Sequence, residues 1–272
     1  MTSSAEAFQI PLEAAEVYEA KFVPALFAEW APHLVDMADV AVGHSVLDAA
    51  CGTGIVARTA ADRVGPTGRV IGLDLNPAML TVAGRVRPDI EWRQGDVAAL
   101  PFADESFDVV LCQMALMFFP DAVAALREMG RVAKAEGLVG IVVPSSLASQ
   151  PAYGPFVELA AQHAGPEAIS LLSRYWRCGD LDELRTTFES ADLRIVAIRT
   201  RIGTARFGST DELVATEVES TPLVDRIDAS TYRRIRAGAA TVLAPFLTAS
   251  GALEAPIECH IVVAQPASSL ST

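Results

Sequence analysis

The sequence predicts an α/β protein built on a Rossmann-like, mostly parallel sheet. From about Ser45 to Val143, short runs rich in β-branched residues alternate with segments of helical length, which is typical of parallel strands joined by helices. Glycines or acidic side chains follow three successive predicted strands. The chain has 272 residues, 51% of them hydrophobic, which is enough for one large domain or for one domain with a lid.

The elements of this region can be assigned in order. Five strands are predicted at residues 45–49, 70–73, 90–93, 107–112 and 138–143. Helices are predicted at 55–64, from Asn76-Pro77 onward, and from Pro120-Asp121 to about Ala133. Asn76 suits the N-cap and Pro77 the first helical position, where its missing N–H is no loss. Before the sheet, residues 17–37 carry apolar side chains at helical spacing, with breaks expected at Pro24 and Pro32.

After Pro144 the pattern becomes less regular. We expect a helix at 181–190, a strand at 194–200, a mostly helical stretch at 210–249 and a last strand at 257–263. These elements predict three parts. An N-terminal helical segment (1–40) covers the ligand site, a core (41–144) binds the ligand, and the remainder of the sheet (145–272) carries helical lid insertions near 145–177 and 204–250.

Composition and charge exclude several classes of protein. A formal net charge of −13 repels phosphate backbones, so no nucleic acid is expected as a partner. No apolar run approaches the roughly 20 residues that cross a bilayer, and no secretory signal is visible, so we expect neither a membrane span nor export. The four cysteines share no metal-ligand spacing. Reduced thiols in a cytoplasm, with no bound metal, are the simple interpretation. The oligomeric state is left open.

Three strand ends predict a ligand site, because ligands bind outside the carboxyl ends of parallel strands. Gly52 and Gly54 follow the first strand and let a ligand approach the backbone closely. Asp74 ends the second strand, about 20 residues after the loop, where an acidic side chain accepts hydrogen bonds from ribose hydroxyls. Asp96 ends the third strand. Its carboxylate can accept from the exocyclic amine of adenine, while the N–H of Val97 can face a ring nitrogen.

The glycine loop by itself does not decide the cofactor. Residues 52–57 also fit the relaxed dinucleotide pattern G-x-G-x-x-A, so a nicotinamide-dependent oxidoreductase is an alternative. The run from Gly95 to Asp108 has no role in a dinucleotide fold and favours a different ligand. A non-catalytic protein that binds a cofactor as a sensor or scaffold is a second alternative.

About residues 40–145 resemble class I S-adenosylmethionine-dependent methyltransferases. The likeness is to the branch typified by ubiquinone and menaquinone C-methyltransferases and many small-molecule methyltransferases. It lies in VLDAACGTG (46–54), VIGLDLNPAML (70–80), GDVAALPFADESFDVVLCQMALMFFPD (95–121) and LREMGRVAKAEGLVGIVVP (126–144). The resemblance implies a seven-stranded sheet with helices on both faces and an antiparallel last strand inserted between its neighbours. Two features depart from the family pattern: Ala50 replaces a common glycine, and Ala135-Glu136-Gly137 replaces a more usual Pro-Gly-Gly turn.

The same resemblance implies S-adenosylmethionine as cofactor and S-adenosylhomocysteine as product. Leu75 and Met79 would pack near the adenosine, and Tyr18 would cover the cofactor unless it only packs in the core. Asp48 would either contact the cofactor's amino group or hold the loop backbone. The complete set of expected cofactor residues is Asp48, Gly52, Thr53, Gly54, Asp74, Leu75, Met79, Asp96, Val97, Gln113 and Tyr18.

The methyl acceptor is expected to be a small, fairly apolar metabolite that is methylated on oxygen, carbon or nitrogen. Met117 and Phe118 follow the fourth strand and could line an apolar pocket, although such stripes are usually core. Tyr175 and Trp176 in the first insertion could complete the pocket, and His163 is the histidine that best suits a lid. No catalytic residue is assigned.

Overall fold

The structure is a computed structural model and describes residues 10–219, 221 and 223–267 of the 272-residue chain. The first nine residues of the predicted N-terminal segment therefore lie outside the described residues, as do residues 220 and 222 in the second predicted insertion. No helix in the described part of the chain is long and apolar enough to span a membrane.

The segment before the sheet is helical, but its interruption does not fall at a proline. α1 spans Leu12–Val17, a π-helical segment spans Tyr18–Phe27, and α2 spans Trp30–Met37. Pro24 lies inside the π-helical segment. Pro32 is the third residue of α2, where a missing N–H costs no helical hydrogen bond. The breaks predicted at these prolines are wrong, and the turn lies at residues 28–29 instead.

The sheet has the order β3-β2-β1-β4-β5-β7-β6. Its strands are β1 (Ser45–Ala49), β2 (Arg69–Asp74), β3 (Glu91–Gln94), β4 (Phe107–Gln113), β5 (Ala133–Pro144), β6 (Leu193–Phe207) and β7 (Leu253–Pro266). β1 to β5 pair in parallel, whereas β7 runs antiparallel to β5 and to β6. The predicted fold class is confirmed, including the antiparallel last strand between its two neighbours.

Helices connect and flank these strands. They are α3 (Ile55–Val64), α4 (Pro77–Val86), α5 (Ala122–Val132), α6 (Tyr153–Ala164), α7 (Glu167–Leu172), α8 (Leu181–Ser190), α9 (Thr210–Glu219) and α10 (Ala229–Val242). α4 begins as predicted, because the Asn76 side chain accepts a hydrogen bond from the N–H of Ala78 and Pro77 opens the helix. Strand order reverses between β1 and β4, so the carboxyl ends of β1, β2 and β4 meet at the edge where a ligand is expected.

β5 begins earlier than the sequence predicts. Ala133 pairs with Phe107 and Leu138 with Val109, so the residues between Ala133 and Leu138 bulge out of register. The expected turn at 135–137 is therefore a bulge inside the strand. Asp108 holds the bulge, because its carboxylate accepts from Lys134 at 2.6 Å and from the N–H of Ser45 at 2.8 Å.

The described residues form two compact units. The first contains 10–143, 181–199 and 260–267, and its buried core surrounds the sheet. The second contains 144–180, 200–219, 221 and 223–259, with α6, α7, α9 and α10. Most of both predicted insertions falls in the second unit, and their role as a lid stays a prediction.

Candidate cofactor site

The loop between β1 and α3 has an unusual backbone. Ala50, Gly52 and Gly54 all have positive φ angles, of 58°, 54° and 89°. A residue with a Cβ loses roughly 1–2 kcal/mol in this left-handed region, and glycine does not. Ala50, where the family resemblance leads us to expect glycine, therefore carries strain at the start of the loop.

Each of the two loop glycines faces an aromatic ring. A Cβ on Gly54 would lie 2.2 Å from the Trp92 ring, so Gly54 is required by packing against β3 as well as by its φ angle. A Cβ on Gly52 would lie 3.7 Å from the Tyr18 ring, which is ordinary contact. The Tyr18 ring thus lies against the loop, and its role over a cofactor stays a prediction. Trp92 is a support that the sequence analysis missed.

Asp74 organises the loop from the neighbouring strand. One carboxylate oxygen accepts the N–H of Gly52 and the other accepts the N–H of Asn76, both at 2.8 Å. Burial raises the pKa of Asp74, while backbone N–H groups, including that of Leu75, oppose the rise. A carboxylate offers about four acceptor positions, so Asp74 retains capacity for a ligand hydroxyl.

Asp48 lies beneath the loop and is 1% exposed. Its carboxylate accepts the N–H of Ala57 in the first turn of α3 at 2.8 Å. Burial raises its pKa to about 8; the Asp74 charge adds to the rise, and the Ala57 N–H lowers it. This bond favours the second of the two expected roles, holding the loop to α3. Contact of Asp48 with a cofactor amine stays a prediction.

Two expected cofactor residues carry buried polar atoms with no partner among the described residues. Thr53 is 1% exposed, and its hydroxyl makes no hydrogen bond. Gln113 donates to the carbonyl of Phe27 at 3.0 Å, but its amide oxygen has no partner. Leaving such an atom unsatisfied costs about 1–3 kcal/mol. A ligand with polar groups at this edge would satisfy both atoms.

An ion pair that sequence reasoning missed fastens the N-terminal segment to the loop. Arg58 of α3 donates to Glu19 of the π-helical segment at 2.9 Å and to the carbonyl of Thr53 at 2.7 Å. Both charged side chains are mostly buried, and the second oxygen of Glu19 has no partner in the described chain. Glu19 and Arg58 stand 39 positions apart, so no local pattern reveals the pair.

The adenosine side of the expected site has a simpler construction. Asp96 is exposed and caps a single 3-10 turn at Val97–Ala99 by accepting the N–H of Ala98 at 2.9 Å. Val97 is the first residue of that turn, so its N–H has no partner within the turn. Leu75 and Met79, directly after β2 and on α4, are partly buried.

The expected acceptor residues are divided between the two compact units. Met117 and Phe118 belong to the first unit, after β4, and Met117 is fully buried, which favours a packing role. Trp176 belongs to the second unit, where its ring contacts Tyr153 with centroids 5.0 Å apart. His163 is at the other end of α6, about 15 Å along the helix from Tyr153. The structure therefore does not bring His163 together with Trp176.

Comparison with known proteins identifies relatives of this chain. Residues 47–141 match the family model described as a methyltransferase domain. Demethylmenaquinone methyltransferase of Lactobacillus johnsonii is 39% identical over 122 residues, which are 43% of this chain and 50% of that protein. Nocamycin O-methyltransferase of Saccharothrix syringae is 34% identical over 164 residues, 57% of this chain and 58% of the relative. The chain thus spans about half the length of the first of these relatives.

A longer match and the solved structures extend this likeness. Demethylmenaquinone methyltransferase of Staphylococcus carnosus is 30% identical over 188 residues, 64% of this chain and 78% of that protein. The YcgJ protein of Bacillus subtilis has a TM-score of 0.59 at 21% identity, with 87% of this chain and 98% of that one covered. A TehB-like S-adenosylmethionine-dependent methyltransferase of Corynebacterium glutamicum has a TM-score of 0.53 at 16% identity, with 94% and 100% covered. At these identities the structures show a shared fold. Together with the sequence relatives, they place the chain in the class I S-adenosylmethionine-dependent methyltransferase family, in the branch that includes the demethylmenaquinone methyltransferases.

Proposed function

We propose that the protein transfers the methyl group of S-adenosylmethionine to an oxygen, carbon or nitrogen of a small, fairly apolar metabolite. The observation that carries this proposal is the polar edge beside the β1–α3 loop. There the Thr53 hydroxyl and the Gln113 amide oxygen are buried without partners, and Asp74 has acceptor capacity left. A ligand with an amino-acid group and a ribose has matching donors and acceptors.

The residues at this edge suit the parts of the cofactor. Asp74 would accept from the ribose hydroxyls, and Asp96 with the N–H of Val97 would hold the adenine. Leu75 and Met79 would pack against the adenosine. Thr53 and Gln113 would bind the polar end of the methionine part, next to Gly52 and under Tyr18. The dinucleotide alternative lacks this support, because the relatives of the chain are methyltransferases.

The protein's share of the reaction is mainly positioning. S-adenosylmethionine, when bound, supplies a methyl group that is already electrophilic on its sulfonium. The loop, fastened by Asp74 and by the Glu19–Arg58 pair, would hold the cofactor in place, and holding two reactants in line supplies much of the acceleration. The Tyr18 ring keeps water from the loop. A general base is required only if the acceptor loses a proton during attack.

The acceptor is proposed from the relatives and the surrounding residues. The relatives are described as methyltransferases of demethylmenaquinone and of nocamycin, which favours an apolar molecule with a ring or a hydroxyl. Phe118, which follows β4, would contribute an apolar wall. A net charge of −13 disfavours a nucleic acid acceptor. A cytoplasmic location stays a prediction.

The direct test is calorimetric titration of the purified chain with S-adenosylhomocysteine and, separately, with reduced nicotinamide dinucleotide. We expect binding of the first and none of the second. No detectable binding of S-adenosylhomocysteine would contradict the proposal. Incubation with methyl-labelled cofactor and a metabolite extract then separates an enzyme from a binding protein, because only an enzyme moves the label into an extract component.

A further inference from the structure

A carboxylate of the N-terminal segment has one oxygen that is buried and unused. Glu19, in the π-helical segment, accepts a hydrogen bond from Arg58 through its first oxygen at 2.9 Å. Its second oxygen is buried and makes no hydrogen bond with the residues that the structure describes. Leaving a buried acceptor without a donor costs free energy, and the cost is larger for a charged group. The second oxygen therefore indicates a position for a donor.

Direct contacts join this carboxylate to the β1–α3 loop, all within the first unit. The guanidinium group of Arg58 that holds Glu19 also donates to the carbonyl of Thr53 at 2.7 Å. The residue before Glu19, Tyr18, places its ring against Gly52. Only 13% of the Arg58 side chain and 22% of the Glu19 side chain are exposed, so water competes little with a ligand here.

The same contacts continue to a second unpartnered acceptor. The Tyr18 ring stacks on Phe27 with centroids 5.2 Å apart, and the Phe27 carbonyl accepts from the Gln113 amide at 3.0 Å. The amide oxygen of Gln113 is buried without a partner among the described residues. An ionised carboxylate and an amide oxygen can only accept hydrogen bonds. Glu19 and Gln113 therefore both complement a ligand group that carries several donors.

The charges around the loop favour a cationic donor. Asp48 and Asp74 also hold this part of the chain, through the N–H groups of Ala57 and Gly52, and burial raises the pKa of both carboxyl groups. The Arg58 charge opposes the rise at Asp48. A second positive charge beside the loop would stabilise the ionised carboxylates further.

We propose that the second oxygen of Glu19 accepts a hydrogen bond from the ammonium group of the cofactor's methionine part, which makes Glu19 a cofactor-binding residue. This inference rests on the proposed function. An ammonium group has three donors and a positive charge, and its hydrogen bond to a carboxylate is stronger than one between neutral groups. Arg58 keeps the first oxygen engaged, so the carboxylate is oriented before the cofactor binds.

The test compares S-adenosylhomocysteine with its desamino analogue, in which hydrogen replaces the amino group. Both ligands are titrated calorimetrically into the full chain. We expect the wild type to bind S-adenosylhomocysteine about 10-fold tighter, the effect of one hydrogen bond between charged groups. Equal affinities would overturn the inference and leave the proposed function standing. No binding of either ligand would contradict the proposed function and this inference with it.

Glu19→Gln separates recognition of the ammonium group from a purely structural role. Glutamine keeps one oxygen for Arg58 but places an amide donor where the second oxygen was. We therefore expect the affinity for S-adenosylhomocysteine to fall about 10-fold and the affinity for the analogue to stay unchanged. An equal loss for both ligands would mean that Glu19 only holds the loop, and a retained preference would mean that another group binds the ammonium. Either result overturns the inference.

Glu16→Gln is the matched control. Glu16 lies on α1, three residues before Glu19, where its side chain is half exposed and pairs with Arg85 at 2.6 Å. Replacing this carboxylate should change the affinity for neither ligand. Retained binding of the desamino analogue shows that each variant is folded. A selective loss of S-adenosylhomocysteine in Glu16→Gln as well would mean that the effect follows the charge of the segment and not the contact of Glu19, which also overturns the inference.

Discussion

Asp74 in the first unit and Glu217 in the second are both carboxylates withdrawn from water, yet their surroundings differ. Asp74 accepts backbone N–H groups from Gly52 and Asn76, so the protein itself satisfies about half of its acceptor capacity. Glu217 has no hydrogen-bond partner among the described residues, and burial raises its pKa to about 7. The difference indicates that Asp74 builds a site whose shape exists before the ligand binds. Glu217 instead is buried without a hydrogen-bond partner from the described residues, so its charged form is disfavoured.

Gly54→Ala should cause the largest loss of stability, and it tests how rigid the loop beside Asp74 is. The new Cβ would combine a left-handed backbone with a 2.2 Å approach to Trp92, so we expect a loss of about 2–5 kcal/mol in unfolding free energy. Denaturant titration measures it. Gly251→Ala is the control, because its φ angle is 84°, close to that of Gly54, but nothing lies within 4 Å of the added Cβ. If both variants lose the same stability, contact with Trp92 is not what fixes Gly54.

Asp74→Ala should abolish most cofactor affinity. Losing two or more hydrogen bonds to a charged acceptor lowers S-adenosylhomocysteine binding by about 100-fold or more. It also leaves the Gly52 N–H without its partner, so the melting temperature should fall, contrary to what a purely ligand-binding residue would show. Asp89→Ala, at an exposed carboxylate paired with Arg87, should change neither quantity. Unchanged cofactor affinity in Asp74→Ala would remove Asp74 from the site.

Glu217→Gln should raise stability, but only at the higher end of the pH range. The folded-state pKa of about 7 is above the usual 4.5, so ionising Glu217 costs stability as pH rises from 4.5 through 7. The variant escapes this cost. We expect its melting temperature to exceed that of the wild type by a few degrees at pH 8 and the gain to shrink as pH falls to 5. A gain independent of pH would show that folding does not raise the pKa of Glu217 above its usual value.

Ala50→Gly should give the smallest effect. Glycine relieves the strain of a φ angle of 58° but adds freedom to the unfolded chain, so the net gain is at most about 1 kcal/mol. Chemical denaturation compares the variant with the wild type. A clear loss of stability would mean that the Ala50 methyl group packs favourably enough to outweigh the strain.

The cofactor edge was largely predictable because its signals are local. Asp74 ends β2, Asp96 caps the turn that follows β3, and Asn76 caps α4, so each could be assigned from a few neighbouring residues. The Glu19–Arg58 pair and the contact of Gly54 with Trp92 join residues far apart in sequence. No periodicity reveals such partners, because a pair of this kind exists only after the strands and helices have packed.

The expected acceptor residues were harder to predict from the sequence than the cofactor edge. His163, Tyr175 and Trp176 were singled out from the sequence by residue type. In the structure, Trp176 contacts Tyr153 at the start of α6, whereas His163 lies about 15 Å along the helix from Tyr153. The sequence signal for Glu217 was weak. It is an acidic residue on the same helical face as Leu213 and Val214. An acidic residue on a helix is usually interpreted as solvent-exposed unless the structure shows that this face is buried.

The sequence by itself determined the fold class, the order of strands and helices up to Val143, and the strand ends where the cofactor is expected. Hydrophobic periodicity, capping residues and glycine positions depend only on short segments of sequence. They can therefore be identified without knowing how the chain packs. Tertiary structure alone decided where the N-terminal helices break, that β5 starts with a bulge, that Gly54 faces Trp92, and that Glu217 is withdrawn from water. Those outcomes depend on which distant groups lose water together, and burial is a property of the packed chain.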